Sequence, residues 1–355
     1  MKLIKEGKAK IYADEKHEKK ISKELEVFYN PKMEMNRDIS ILFLKSISKL
    51  KILKKEISVG LPLAGSGIRG IRLLKETKFI KYIYLNDYDK TAVKNIQKNI
   101  KLNKVDKNNI HISNKDANLF LLESKGFDYI DLDPFGSPNP FLDSSIQRMS
   151  RNGILAVTAT DTAALTGTYP STTRWKYWAT NYLCPEKHEL ALRILIRKIQ
   201  LIGTQYQRAL IPLFSYTKEH YYRIFFICEK SKTKAAEIIK QHNYYTPFFQ
   251  SRKIGPMWTG QLVDVNVIKK MIQLTKNSEL DSFLDLIKKE SEIDNVGFID
   301  LHEFAKKNKI EGLKHEVFME NLKKKGFKAS RTHFSYKAIK TDAPYTVMMK
   351  IIKEK

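Results

Sequence analysis

A regular alternation of short apolar runs with amphipathic segments, between residues 57 and 158, is the feature that most constrains the fold. The apolar runs predict strands, which lie at Ile57–Leu63, Tyr82–Leu85, Ile110–Ile112, Tyr129–Leu132 and Ile154–Thr158. The amphipathic segments predict helices, which lie at Ile68–Lys75, Lys90–Leu102, Ala117–Leu122 and Pro140–Met149. Strands that alternate with helices favour an α/β fold with a mostly parallel, doubly wound sheet. Two later apolar runs, Tyr206–Phe214 and Tyr221–Cys228, are expected to close the same sheet.

This alternation ends near residue 230. Because 355 residues are more than one hydrophobic core usually holds, we expect two domains, residues 1–230 and 231–355. In the second domain, two helical patterns joined at Gly312 precede a strand pattern, at Leu301–Asn308, Leu313–Lys325 and Phe327–Arg331. This order is typical of a small winged-helix-like unit within an α+β domain, although a plain helical hairpin fits it equally well.

The charge balance indicates a polyanionic partner. Lys and Arg number 64 against 39 acidic residues, a net charge of +25, which points to nucleic acid or an anionic membrane surface. No run is apolar enough to span a bilayer, and charge interrupts the N-terminal residues before any signal-like segment, so we expect nucleic acid and a cytoplasmic location. The two cysteines, Cys184 and Cys228, form no CxxC pair, which excludes a four-cysteine zinc site.

A glycine motif predicts a cofactor site. Residues 65–70 match GxGxxG between a predicted strand and helix, and Asp87 follows Gly67 by 20 residues at the end of the next strand. This pattern suits a dinucleotide and S-adenosylmethionine equally well. Asp116 and Asp133 follow the third and fourth strands, and acids at successive strand ends favour S-adenosylmethionine. For each aspartate alone, a helix N-cap or a turn is the alternative interpretation.

The tetrapeptide Asp133-Pro134-Phe135-Gly136 suits chemistry on the exocyclic amino group of a nucleobase. The Asp133 carboxylate and the Pro134 carbonyl oxygen would accept the two amino hydrogens, while Phe135 would stack on the base. Taken alone, the tetrapeptide also fits a simple turn after a strand. A base treated in this way must leave its stack.

Ordered sequence blocks link the chain to a known family. They lie at residues 6–11, 27–31, 35–38, 67–72, 131–138, 158–163, 188–190, 192–196, 255–258, 330–334 and 339–344. Over nearly its full length the chain resembles the tRNA guanine-26 N2-dimethyltransferases. The resemblance implies a Rossmann-like S-adenosylmethionine-dependent methyltransferase sheet in residues 1–230 and a tRNA-binding domain in residues 231–355. It also implies methylation of the guanine 2-amino group in tRNA, once or twice.

The same resemblance assigns roles to individual residues. Arg37 and Arg69 would hold the methionine end of the cofactor, and Asp87 would hold the ribose. The adenine would contact Asp116 with Ala117. Asp133 would be the catalytic carboxylate, and the target guanine would lie between Phe135 and Phe28. Arg72 is a weaker candidate because one helical turn later it can face away from the pocket.

The chain also departs from the family pattern. Leu61 stands where relatives usually have an acid at the end of the first strand, which puts one polar contact in doubt. Many relatives carry paired cysteines in the second domain, whereas Tyr244–Gln250 has none, so we expect no zinc. We also expect a monomer, with Arg331 and Lys340 among the basic residues that contact tRNA.

Three alternative functions remain open from the sequence. An amino-methyltransferase acting on DNA adenine or cytosine would use the same tetrapeptide chemistry. A tRNA-binding chaperone could keep the fold without catalysis. A dinucleotide-dependent oxidoreductase would use the same glycine motif.

Overall fold

The computed structural model describes residues 2–13, 29–310 and 314–353. Its strands are β1 (Lys2–Glu6), β2 (Ala9–Ala13), β3 (Ile57–Leu61), β4 (Ile80–Asn86), β5 (Ile110–Ser113), β6 (Phe127–Leu132), β7 (Met149–Ala159), β8 (Arg208–Lys218), β9 (Tyr221–Lys230), β10 (His242–Tyr245), β11 (Ile254–Trp258), β12 (Ile299–Asp300), β13 (Ala329–Thr332) and β14 (Ser335–Thr341). Its helices are α1 (Glu34–Lys49), α2 (Ile68–Glu76), α3 (Lys90–Leu102), α4 (Ala117–Leu122), α5 (Asn139–Gln147), α6 (Thr162–Leu165), α7 (Pro170–Tyr177), α8 (Lys187–Gln205), α9 (Lys232–Lys240), α10 (Val265–Leu274), α11 (Ser278–Ser291), α12 (Leu301–Lys307), α13 (His315–Lys324) and α14 (Tyr345–Lys353). None of the helices in these ranges is long and apolar enough to cross a membrane.

A seven-stranded sheet of order β5-β4-β3-β6-β7-β9-β8 forms the centre of the fold. The pairs β4–β5, β3–β4, β3–β6 and β6–β7 are all parallel. All six residues of β6 are buried, as expected for a central strand covered on both faces. Strands β8 and β9 are neighbours joined by two residues, a connection that only an antiparallel pair allows. The predicted doubly wound, mostly parallel α/β sheet is confirmed, including its two closing strands.

Several boundaries differ from the prediction, and two helices were missed. Strand β7 begins at Met149 rather than Ile154. Its first residues include the polar segment 150–152, which shows no apolar run from which a strand could be predicted. Helices α6 and α7 have only 4 and 8 residues, too short and too polar to show a helical apolar period.

The glycine motif forms the turn between β3 and α2. Gly67 has φ of 78°, a left-handed conformation that favours glycine, and its N–H donates to the carbonyl of Ala64 at 2.8 Å. A Cβ on Gly70 would lie 2.5 Å from Cδ2 of Leu85, so α2 packs on β4 more closely than a larger residue allows. The motif therefore places the start of α2 directly at the carboxyl end of the sheet.

The described contacts divide the chain into two compact units. The first comprises residues 1–159, 202–211 and 225–235, and the second comprises residues 160–201, 212–224 and 236–355. This division interleaves along the chain and differs from a single boundary after residue 230. The assignment of cofactor binding and tRNA binding to separate domains stays a prediction.

The predicted helix–helix–strand order near the C-terminus is present as α12, α13 and β13, while Gly312 lies outside the described residues. The three strands form a sheet of order β12-β14-β13. Apolar side chains of these strands and helices share one core, which includes Ile299, Phe304, Phe318, Leu322, Ile339 and Met348.

A buried carboxylate organises the second unit. Glu189 is fully buried and accepts hydrogen bonds from Lys340 Nζ at 3.0 Å, Arg193 Nε at 2.9 Å and the N–H of Gly297 at 3.1 Å. Burial opposes its charge, but Lys340 and Arg193 lower the pKa of Glu189 to about 2. Lys340 is therefore buried and paired, and the prediction that it contacts tRNA at the surface is wrong.

Gly60→Ala should destabilise the first unit, because the added Cβ would lie 2.8–2.9 Å from three ring carbons of Phe127. Overpacking of this kind costs about 1–3 kcal/mol. Urea unfolding of Gly60→Ala, of Phe127→Leu and of the double variant measures the free energy of unfolding. Because leucine is smaller than phenylalanine, Gly60→Ala should cost less in the Phe127→Leu background than in the wild type. Equal costs in the two backgrounds would contradict the contact between residues 60 and 127.

Candidate cofactor and catalytic site

A pocket that is open to solvent lies at the carboxyl ends of β3 and β6, within the first unit. The residues that line it are Tyr29, Asn30, Arg37, Leu61, Leu63, Ala64, Gly65, Ser66, Ile68, Arg69, Asp131 and Asp133. Three of the predicted site residues, Arg37, Arg69 and Asp133, therefore lie together beside the glycine loop.

Arg69 connects helix α1 to the end of strand β6. Its Nη2 pairs with Asp133 Oδ2, and its Nη1 lies 3.4 Å from Asp131 Oδ2. The same guanidinium donates to Asn36 Oδ1 at 2.9 Å and to Ser40 Oγ at 3.1 Å. Arg69 thus holds the Asp133 carboxylate at the pocket, and its predicted contact with the methionine end of the cofactor stays a prediction.

Asp131 is a pocket residue that the sequence reasoning assigned no role. Side chains two residues apart along a strand point to the same face, which applies to Tyr129, Asp131 and Asp133. Tyr129 donates its hydroxyl hydrogen to Asp131 Oδ2 at 2.5 Å. The spacing of two residues from Asp133 is the signal that could have identified it.

Glu6 is a second residue without a predicted role. It holds Arg37, which lines the pocket. It accepts hydrogen bonds from Arg37 Nε at 2.7 Å and Nη2 at 2.5 Å, from Arg72 Nη1 at 2.7 Å and from the hydroxyl of Tyr29 at 2.8 Å. Burial by itself raises the pKa of Glu6, but Arg37 and Arg72 together bring it below its ordinary value. The Glu6 carboxylate, at the end of strand β1, therefore fixes the position of Arg37 at the pocket.

The two arginines on either side of Glu6 face different surroundings. Arg37 lines the pocket and donates from Nη2 to the carbonyl oxygen of Asn30 at 3.1 Å. Arg72 instead donates to Asp38 Oδ1 at 2.5 Å and Glu76 Oε1 at 2.8 Å and does not line the pocket. Arg72 is therefore a support of the site rather than a ligand within it.

Asp87 joins the glycine loop to the end of β4. Its Oδ2 accepts the Gly65 N–H at 2.8 Å, and its Oδ1 accepts the Asp89 N–H at 3.1 Å. Partial burial raises the pKa of Asp87, although these backbone donors act in the opposite direction. The carboxylate lies next to the loop, as its predicted ribose role requires, and that role stays a prediction.

Asn86, which the sequence reasoning missed, fixes the neighbouring loops. Its buried side-chain amide donates to the carbonyl oxygens of Pro62 at 3.0 Å and Lys115 at 2.9 Å. These carbonyls follow β3 and β5, so one side chain connects the glycine loop with the loop that carries Asp116. A polar residue within a buried strand is the local signal for such a role.

Asp116 caps helix α4. Its Oδ1 accepts the N–H groups of Asn118 at 2.9 Å and Leu119 at 3.1 Å, which is the N-cap interpretation weighed from the sequence. The cap uses one carboxylate oxygen, so it leaves a contact through Oδ2 compatible with the geometry. Asp116, the buried Ala117 and Asp87 lie outside the lining of the pocket that contains Arg37. Their adenosine-binding roles stay predictions.

The residues that follow Asp133 place an aromatic ring at the surface. Pro134 is buried, whereas Phe135 is 42% exposed. Gly136 has φ of 77°, which lets the chain turn sharply after the ring. Part of the Phe135 ring therefore lies at the surface, while Phe28 lies outside the described residues. Within residues 2–13, 29–310 and 314–353, no group of three or more His, Cys, Asp or Glu could hold a metal ion.

The family model for N2,N2-dimethylguanosine tRNA methyltransferase matches residues 7–253 and 248–353. The chain belongs to this family. A tRNA (guanine(26)-N(2))-dimethyltransferase from Methanococcus maripaludis is 38% identical over 100% of this chain and 98% of its own length. A tRNA (guanine(26)-N(2)/guanine(27)-N(2))-dimethyltransferase from Aquifex aeolicus is 36% identical over 100% of this chain and 96% of its own.

A solved structure gives the same result for the fold. Trm1 from Pyrococcus horikoshii in complex with S-adenosyl-L-methionine superposes with a TM-score of 0.88 at 32% identity, over 99% of this chain and 100% of that one. The Rossmann-like methyltransferase fold and the predicted family are confirmed. The comparisons do not support the DNA methyltransferase, chaperone or oxidoreductase alternatives.

Glu6→Gln should destabilise the protein at neutral pH by about 3 kcal/mol, the lower end for removal of one partner from a buried ion pair. Arg72 keeps Asp38 and Glu76, which limits the loss. The pKa of Glu6 is lower in the folded protein than in the unfolded chain, where it is near 4.5. The ionised carboxylate therefore adds to the free energy of unfolding above about pH 4.5, and this stabilisation is lost as the pH falls through the folded-state pKa.

Urea unfolding of both proteins as a function of pH tests this expectation. The difference in unfolding free energy between wild type and Glu6→Gln should narrow below about pH 4.5, since the acid sensitivity of Glu189 is common to both. A difference that stays constant down to strongly acidic pH would contradict the proposed charge of Glu6.

Proposed function

We propose that this chain uses S-adenosyl-L-methionine to methylate the exocyclic N2 of guanine 26 in tRNA, yielding N2-methyl- and N2,N2-dimethylguanosine. The observation that carries the proposal is the Asp133 carboxylate, which Arg69 holds at a pocket beside the glycine loop, with an exposed Phe135 two residues later. Full-length relatives that are tRNA (guanine(26)-N(2))-dimethyltransferases support the same substrate and position.

The residues of the pocket fit S-adenosyl-L-methionine. The Arg37 guanidinium lines the pocket and suits the methionine carboxylate, since Arg matches carboxylates in geometry and charge. Gly65 and Gly67 adopt left-handed conformations, which let the loop backbone approach a ligand closely. Asp87 lies next to Gly65 and can accept from ribose hydroxyls. The bound cofactor supplies an electrophilic methyl group on a sulfonium centre.

The chain itself positions and stabilises the amine. Asp133 accepts one hydrogen of the guanine amino group, and the Pro134 carbonyl oxygen accepts the other. Phe135 stacks on the base and fixes its plane. As the methyl group leaves the sulfonium sulfur and bonds to the nitrogen, the nearby Asp133 carboxylate would stabilise the positive charge that forms on the nitrogen. One N–H proton would then pass to Asp133 and on to water, which leaves a neutral methylated amine. The Arg69 contact keeps the carboxylate from rotating away.

A base that lies in the folded tRNA must be extruded to reach Asp133. The net charge of +25 favours binding to the phosphate backbone. We place the reaction in the cytoplasm, where the buried thiols of Cys184 and Cys228 stay reduced. The monomeric state and the absence of zinc stay predictions from the sequence.

Asp133→Asn should lower the methylation rate by about 10²–10⁴-fold, the range for loss of a group that assists proton removal or charge stabilisation. The amide keeps the size of the side chain but removes its negative charge. Mass spectrometry of nucleosides from treated, unmodified tRNA measures N2-methyl- and N2,N2-dimethylguanosine, and calorimetry measures cofactor binding.

Asp106→Asn is the matched control, since Asp106 is an exposed aspartate whose Oδ1 accepts only a local backbone N–H, that of Asn108. It should methylate tRNA at the wild-type rate. Wild-type protein that binds the cofactor yet forms no methylated guanosine would refute the proposed function, and full activity in Asp133→Asn would refute the role of this residue.

Binding of tRNA should weaken steeply as salt increases, because phosphate contacts release counterions. A protein with 6–10 such contacts loses about 10³–10⁵ in affinity between roughly 50 and 200 mM salt. Filter binding of unmodified tRNA over a salt series measures the slope. An affinity that hardly changes with salt would show that the positive charge does not form the tRNA interface.

A further inference from the structure

We propose that Trp175 and Trp178, at the end of helix α7 in the second unit, form a platform on which unpaired nucleotides of the bound tRNA stack. The proposal rests on the proposed function for the identity of the RNA. The two rings and the cations next to them, Arg174, Arg197 and Lys198, are called the α7 platform below.

The α7 platform exposes large aromatic rings. Trp175 is 71% exposed and Trp178 is 46% exposed, although the third tryptophan of the chain, Trp258, is buried. Exposed tryptophan is costly in water, and paired exposed rings mark a binding surface more often than a structural one. Tyr244, 62% exposed, is another large aromatic ring at the surface of the second unit.

Trp178 occupies a backbone conformation that a bulky residue rarely adopts. Its φ of 53° and ψ of 37° are left-handed, and helices usually place glycine or asparagine in this state. A tryptophan at this position is therefore unfavourable for the backbone alone, and such outliers cluster at functional sites. Neither the backbone conformation nor the exposed ring stabilises the free protein, and a ligand that covers the ring would account for both.

Cations lie beside the rings. Lys198 Nζ lies over the Trp178 ring, 2.8 Å from its centroid, and Arg197 Nη1 donates to the Trp178 carbonyl oxygen at 3.0 Å. Burial, with a contribution from Arg197, lowers the pKa of Lys198 to about 8. Lys198 is buried and packs against the ring, so the exposed Arg174 and the partly exposed Arg197 are the cations that can approach a phosphate.

The charge around the platform is complementary to RNA. Residues 169–183 contain Arg174 and Lys176 but no acidic side chain. Lys176 pairs with Asp161 at 2.9 Å, whereas the Arg174 side chain is exposed on the same helix as Trp175. Arg252 lies 5.4 Å from the ring centroid of Tyr182, which continues the pattern of cations on aromatic rings.

Unpaired nucleotides suit this surface better than a duplex. Within a helix the bases stack on one another and offer no free face, whereas loops and single-stranded ends present faces to aromatic side chains. A surface for phosphates alone would need the cations but not the two rings. The α7 platform therefore indicates contact with a loop or a single-stranded end of the tRNA.

Intrinsic fluorescence of the full-length protein gives a direct test. Trp258 is buried, so stacking of bases on the platform should quench emission that comes from Trp175 and Trp178. We expect quenching on addition of unmodified tRNA. A single-stranded RNA should compete for the platform better than a hairpin-closed duplex of equal length, and equal competition by the duplex would overturn the proposal.

Binding of unmodified tRNA to variants separates stacking from charge. Trp175→Ala should lower the affinity about 5- to 150-fold at every salt concentration without changing the salt slope, because stacking releases no counterions. Trp175→Phe should retain most of the affinity. Arg174→Ala should instead reduce the salt slope by about one. Trp178→Gly removes the second ring and suits the left-handed backbone, so it should fold and bind more weakly.

Tyr82→Ala is the control, since Tyr82 is a 37% exposed ring beside Lys81 in the first unit and should leave the affinity unchanged. Wild-type affinity in both Trp175→Ala and Trp178→Gly would overturn the platform even if the protein methylates tRNA. Weakened binding in these variants, with no methylated guanosine from wild type, would support the platform and refute the proposed activity. Absence of tRNA binding by wild type would refute both.

Discussion

The guanidinium of Arg69 is the contact on which the arrangement of the site depends. It lies between Asp131 and Asp133 on one side and Asn36 and Ser40 on the other, so strand β6 and helix α1 meet through one side chain. A buried arginine without carboxylates would carry a large desolvation penalty, and the carboxylates of Asp131 and Asp133 without the arginine would repel each other. The three charges therefore stabilise the fold only together, and the Asp133 carboxylate takes its orientation from this arrangement.

A second network of buried charges surrounds Glu6, which does not itself line the pocket. It lies between Arg37 and Arg72, and Arg72 in turn contacts Asp38 and Glu76. Networks of buried ions contribute little net stability compared with apolar packing, but they tolerate few arrangements. In this protein the network determines where Arg37 can lie. Strand β1, which pairs with β2 outside the central sheet, thus supports a wall of the pocket.

Local features of the sequence predicted the central sheet and placed Asp133 at a pocket, whereas contacts between residues far apart in the chain could not be predicted from the sequence. Strand β6 and Asp133 could be located because a continuous apolar run and the residues directly after it belong to one short segment. Glu6 contacts Arg72 across 66 positions, and no periodicity encodes such a pair. Lys340 illustrates the opposite error, since a lysine in a basic region was taken as a surface residue although it pairs with buried Glu189. Helix α7 was missed because it is short and mostly polar, with only Thr173 and Tyr177 buried.

The side-chain amide of Asn86 fixes the loops that follow β3 and β5 relative to each other. Its nitrogen donates to the carbonyls of Pro62 and Lys115, and its oxygen accepts the Ser113 hydroxyl and the Lys115 N–H. Both donors and both acceptor positions are thus occupied, which is the full capacity of a primary amide. Neither aspartate, which lacks the donors, nor leucine, which lacks both, could replace it. The loops after β3 and β5 are consequently tied together through one side chain, so a movement of either loop breaks hydrogen bonds to Asn86 or displaces the other loop.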